Sequence, residues 1–131
     1  RFILSLEELD KLGGYIKDDF TNGVVILKGD LASGKTTLVK NIAKHLGIVE
    51  DITSPTFSLQ HRYGDRVYHY DIYNHGLEHF ISLGMLEELD KEGIHFVEWG
   101  DDNLIEILVS AGIDVISIEI TKLDDKREYK I

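Results

Sequence analysis

Apolar residues follow two rhythms along this chain, and the switches between them mark out its elements. Phe2-Ile3-Leu4 is a short apolar run that predicts a strand. Leu6, Leu9, Leu12 and Ile16 then recur at helical spacing, with Ser5 as N-cap and Glu8 three residues on completing a capping box. Thr21-Asn22-Gly23 is a turn, and the run from Val24 to Lys28 predicts a central, buried strand. From Thr36 to Leu46 the period is helical again, with Leu38, Ile42, Ala43 and Leu46 on one face and Gly47 as the stop.

After Pro55, the only proline, the pattern turns extended. Thr56 to His61 and Val67 to Ile72 read as two strands around the turn Tyr63-Gly64-Asp65-Arg66. Ile81, Leu83, Leu86 and Leu89 predict helical pieces around Gly84, ended by Gly93. Ile94-His95-Phe96-Val97 reads as a short buried strand. Asp101 or Asp102 caps a helix running through Leu108, and Asp114 to Leu123 with Arg127 to Ile131 forms a C-terminal hairpin. Strands alternating with helices predict an α/β three-layer domain of P-loop type. Its sheet is mixed and mostly parallel, with helices on both faces and added antiparallel hairpins. At 131 residues the expectation is one domain, 1–131, without internal repeats or low-complexity segments.

One stretch carries chemistry on its face. Gly29-Asp30-Leu31-Ala32-Ser33-Gly34-Lys35-Thr36-Thr37 matches G-x-x-x-x-G-K-[ST], and it lies between a predicted strand and a predicted helix. Glycines let the backbone curl so that successive N–H groups point into one concavity, and the following helix adds its positive end. Lys35 then reaches the β- and γ-phosphates of a nucleoside triphosphate, while the Thr36 hydroxyl is placed to ligate Mg²⁺. The other reading is a chance match in a glycine-rich turn, which the flanking strand and helix patterns make rarer.

Such a site needs a carboxylate on the metal side, at the end of a neighbouring strand. Asp71 closes Val67-Tyr68-His69-Tyr70, and Glu98 closes Ile94-His95-Phe96-Val97, so both fall at the carboxyl edge where ligands of open α/β sheets collect. Either acid alone reads equally well as a helix cap; beside a phosphate loop they become metal-side candidates. Thr56 sits where a switch segment turns its hydroxyl or amide toward a γ-phosphate, or is an ordinary strand start. Trp99, the only tryptophan, stacks on a base or fills core. His61, His69, His75, His79 and His95 show no spacing that compels a metal site; His69 and Asp71 share a strand face, which surface packing explains equally well.

Composition narrows the picture further. With no cysteine, disulfides, thiolate zinc sites and cysteine nucleophiles are excluded. The formal net charge of −10 argues against autonomous nucleic-acid binding, which needs a basic face to displace counterions. Any RNA connection therefore runs through a partner. No apolar run approaches the ~20 residues that cross a bilayer, and the segment from Arg1 to Ser5 lacks the apolar core of a signal peptide. A cytoplasmic protein without a membrane role is expected.

Together the motifs resemble the TsaE family (YjeE-type) of small bacterial P-loop ATPases, which serve synthesis of threonylcarbamoyladenosine at position 37 of tRNAs. The phosphate loop is followed in order by Ser54-Pro55-Thr56-Phe57, His69-Tyr70-Asp71-Ile72-Tyr73 and Val97-Glu98-Trp99, and the likeness covers essentially the whole chain. The resemblance implies an ATPase with little activity alone, using ATP/ADP and Mg²⁺, that binds the TsaB–TsaD pair and resets it between turnovers. By that resemblance the nucleotide is held by Gly29, Leu31, Ala32, Ser33, Gly34, Lys35, Thr36, Thr37, Thr56 and Trp99. Thr36, Asp71 and Glu98 serve the metal, Lys35, Asp71 and Glu98 the catalysis, and the region of Ser5 and Leu6 borders the adenine. Two departures stand out: the family usually has Gly-Ala where this chain has Ala32-Ser33, and Arg where it has Asn74. A small-molecule kinase and a nucleotide-gated interaction module with vestigial hydrolysis are the other readings of the same loop.

Overall fold

A computed structural model describes residues 2–20, 22–30, 34–48, 60–72 and 76–131. Their strands form one seven-stranded sheet. In chain order they are β1 (Phe2–Leu4), β2 (Gly23–Lys28), β3 (Gln60–Tyr63), β4 (Val67–Asp71), β5 (Ile94–Glu98), β6 (Val115–Leu123) and β7 (Lys126–Lys130). In space the order is β1-β7-β6-β2-β5-β4-β3. The central strands β6, β2, β5 and β4 run parallel, while β3 pairs antiparallel with β4 at one edge. At the other edge β7 runs antiparallel to both β6 and β1. This is the α/β three-layer architecture that the alternating pattern predicts.

The side-chain alternation of each buried strand assigns the two layers. Val25 and Leu27 of β2, with Ile94 and Phe96 of β5, join the core under α1 (Asp10–Asp19) and α2 (Lys35–His45). Val24, Ile26 and Val97 face the opposite way, with Tyr68 and Tyr70 of β4. That second core lies under α3 (Gly76–Ser82), α4 (Met85–Leu89) and α5 (Asp102–Ser110). A strand buried on both faces reads as a continuous apolar run, which is how β2 and β5 appear in the sequence.

Two apolar assignments differ from the periodic expectation. Leu6 is 72% exposed, because a 3₁₀ turn at Leu6–Glu8 precedes α1 and takes it out of phase with Leu9, Leu12 and Ile16. The Ser5–Glu8 capping box is present, but it opens this turn rather than α1 itself. Around Gly84, Ile81 and Leu83 are exposed, and Phe80 and Leu89 carry the packing. Asp101 caps α5, its carboxylate accepting from the Leu104 N–H at 3.0 Å.

Candidate functional site

The site grows from the end of β2. Lys28 gives way to Gly29 and Asp30, and the chain re-enters the described structure at Gly34, whose φ of 107° is a left-handed conformation suited to glycine. Gly34 is the N-cap of α2 and offers no side chain to cap it, and its carbonyl accepts from the Leu38 N–H at 3.0 Å. Lys35 and Thr36 occupy the first two positions of α2, and Thr37 is exposed at the third.

Lys35 is only 4% exposed. Its ammonium donates to the carbonyls of Gly29 at 2.8 Å and Asp30 at 2.9 Å, and lies 3.9 Å from the centre of the Trp99 indole. Burial pushes its pKa down, and the charges of Glu98, Asp71 and Asp30 oppose that shift. The lysine is thus a largely buried cation held by two carbonyl dipoles and an aromatic face.

Glu98 reaches the same spot from β5. It is 3% exposed, and the Thr36 hydroxyl donates to its carboxylate, 3.1 Å from Oε1 and 2.9 Å from Oε2. Alternation explains the encounter. Glu98 points to the same side of the sheet as Ile94 and Phe96, the side covered by α2, and the parallel register sets Asp71 of β4 opposite it. Fully buried His69, two residues before Asp71 on that face, donates from Nε2 to Glu98 Oε2.

In the sequence, surface packing explained the pairing of His69 with Asp71 as well as a functional role did; the structure excludes the surface reading, since His69 is among the most buried polar residues described. The available signal was its two-residue spacing from Asp71. The partner, 29 residues away, depends on the β4–β5 register. The guanidinium of Arg127 on β7 also approaches the loop, its Nε 4.0 Å from where a Cβ on Gly34 would lie.

Trp99 follows Glu98 with φ of 70°, a conformation uncommon for a bulky residue, and its N–H donates to the Leu27 carbonyl at 3.2 Å. At the next residue the chain passes so close to β2 that a Cβ on Gly100 would lie 2.9 Å from Ile26 Cγ2. Beside the loop, residues 28–30, 99–101 and 119–122 line a cavity of about 670 Å³ at the carboxyl edge of the parallel strands. Leu31, Ala32, Ser33 and Thr56 lie outside the described residues, as does Asn74.

Thr36 and Glu98 fit a small hard cation, since both offer oxygen donors at one point. No group of three or more His, Asp or Glu able to cage a metal occurs among the described residues.

The family model described as threonylcarbamoyl adenosine biosynthesis protein TsaE matches residues 3–129. The chain belongs to the TsaE family. A TsaE protein of Treponema pallidum is 42% identical over 100 residues, 72% of this chain and 74% of that protein. Its Bacillus subtilis counterpart is 34% identical over 116 residues, 80% of this chain and 73% of the relative. Among solved structures, that of Bacillus subtilis YdiB superposes with a TM-score of 0.67 at 29% identity, covering 98% of this chain and 80% of the other. In this TsaE-family chain, no helix among the described residues is long and apolar enough to cross a membrane.

Proposed function

We propose that this TsaE-family chain is a Mg²⁺-dependent ATPase that works in forming threonylcarbamoyladenosine in tRNA. It turns over weakly alone and acts on the TsaB–TsaD pair to reset it between rounds. The observation that carries the reading is the meeting of Thr36 with Glu98 at 2.9–3.1 Å, beside a buried Lys35 at the open end of α2. Phosphoryl transfer asks the protein mainly for position and charge, and those are the groups assembled.

In this reading residues 1–131 act as one ATPase domain in the cytoplasm. Lys35 would exchange its loop carbonyls for phosphate oxygens. Thr36 and Glu98 would hold Mg²⁺, which would supply positive charge against the phosphates. Asp71, opposite Glu98 in the register, is a further metal-side or water-orienting acid. Trp99, Gly29, Gly34 and Thr37 border the nucleotide, with Leu31, Ala32, Ser33 and Thr56 completing its contacts. A net charge of −10 leaves tRNA contact to the partners.

The test is phosphate release from ATP by the purified chain, alone and with TsaB and TsaD from its own organism. Low basal turnover that rises with the pair and vanishes in Lys35→Ala is expected. Robust turnover indifferent to the pair overturns the partner assignment, and phosphate passed to a small acceptor instead of water overturns the ATPase reading in favour of a kinase.

A further inference from the structure

Glu98 is held from both sides, by Thr36 of α2 and by His69 of β4. Its two carboxylate oxygens are not equivalent: Oε2 takes the His69 Nε2–H as well as the Thr36 hydroxyl, whereas Oε1 has Thr36 as its partner. We propose that His69 is a positioning residue for the nucleotide-bound cation, pinning Glu98 by Oε2 and leaving Oε1 as the oxygen available to the metal. The inference rests on the nucleotide–Mg²⁺ reading above.

The surroundings of His69 separate this role from ordinary packing. Its strand face belongs to an apolar layer with Val67, Ile94 and Phe96, and the ring is fully buried there. Nδ1 has no hydrogen-bond partner among the described residues, so the imidazole is desolvated for the sake of a single bond. A position that only filled this layer would be better served by an apolar side chain of similar size. The one bond goes to the acid, and the residue two further along the same face is Asp71, opposite that acid in the register. Hydrogen bonds that orient ligating carboxylates typically alter metal affinity or activity 10–100-fold when removed.

The experiment is calorimetric titration of the full chain with ADP, in EDTA and at graded Mg²⁺, for the parent, His69→Leu and His69→Gln. In His69→Leu, ADP affinity in EDTA should stay within about twofold of the parent, and the Mg²⁺ concentration for half-maximal tightening should rise about tenfold or more. His69→Gln, whose amide nitrogen reaches the position of Nε2, should recover most of the response. If circular dichroism shows His69→Leu unfolded, His69→Asn replaces it, since its amide is too short to reach Glu98.

An unchanged Mg²⁺ response in the variant that lacks the donor overturns the role of His69 while leaving the nucleotide site intact. Equal losses in EDTA and in Mg²⁺, unrescued by His69→Gln, also overturn it and make the residue structural. A parent whose ADP affinity ignores Mg²⁺ overturns the nucleotide–Mg²⁺ reading, and this inference with it.

Discussion

Lys35 shows how much one residue contributes at this site. Its ammonium is satisfied by two carbonyls and an indole face, all beside the position where phosphates would enter. A hydrogen bond to a charged group is worth about 1.5–3 kcal/mol net, so Lys35→Ala should weaken ADP binding roughly ten- to hundredfold by calorimetry. Unchanged affinity would remove the basis for the phosphate loop. Glu98→Gln keeps the shape of the side chain but loses its charge, which matters most when phosphoryl transfer builds charge on the metal side. Partner-stimulated turnover should fall about a hundredfold while ADP affinity in EDTA moves by no more than a few-fold. Equal losses in both would assign Glu98 to structure alone. Trp99 reports on the same event: it is the only tryptophan and its ring covers the Lys35 ammonium, so its emission should change when ADP draws the lysine away. A silent indole would leave Trp99 as part of the core it packs against.

At the scale of elements, a buried hydrogen-bond chain ties β3, β4 and β5 together behind the site. His95 Nε2–H donates to the Lys91 carbonyl at 2.8 Å, so Nδ1 is left to accept the Tyr70 hydroxyl proton at 2.7 Å. Tyr70 in turn accepts from Gln60 at 3.0 Å, and the His95 ring stacks on Tyr68 with centroids 4.3 Å apart. Burial pushes the His95 pKa down, while the hydrogen bond to Lys91 and the charge of Glu88 resist. With the folded value below the unfolded one, the unfolded chain takes up its proton first on acidification. The stability contributed by neutral His95 is therefore complete above about pH 6.5 and declines as pH falls from there toward the folded value. Urea denaturation should show this loss between pH 7 and 5. His95→Phe should be less stable at pH 7 by about 1–3 kcal/mol, for the stranded Tyr70 hydroxyl, with a flatter pH profile. A parental slope in the variant would place the acid sensitivity elsewhere.

The same elements show which parts were legible beforehand. Gly29 to Thr37 is contiguous, and its strand and helix flanks are periodic, so those flanks, the fold class and both hairpins could be read from spacing alone. Local turn chemistry was harder. The 3₁₀ turn that exposes Leu6, and the packing of Phe80 rather than Ile81 or Leu83, depend on how short segments dock and not on period. Most hidden was the link between His69 and Glu98, because it requires knowing that β4 lies beside β5, parallel, with Asp71 opposite Glu98. Strand order and register are products of the whole fold.

For the whole molecule, the candidate site joins segments far apart in sequence: the end of β2, the start of α2, the end of β5 and, through Asp71, the end of β4. A ligand that bridges them binds the folded chain and has no counterpart in the unfolded one, so it must raise global stability by mass action. At a free ADP concentration a hundredfold above its Kd the gain is about 2.7 kcal/mol. For a chain of 131 residues, a gain of that size moves the melting temperature by roughly 8–13 °C. Mg²⁺ should add to the shift, Glu98→Gln should remove most of the Mg²⁺ increment while keeping the nucleotide part, and Lys35→Ala, binding ten- to hundredfold more weakly, should cut the nucleotide gain at the same ADP concentration to about 0.4–1.4 kcal/mol. Differential scanning calorimetry of the three proteins with ADP, with and without Mg²⁺, reads all of this at once. A parent whose melting temperature ignores ADP would mean that these edges do not form a nucleotide site. A parent that responds to ADP but not to Mg²⁺ would keep Lys35 in its role and deny Thr36 and Glu98 theirs.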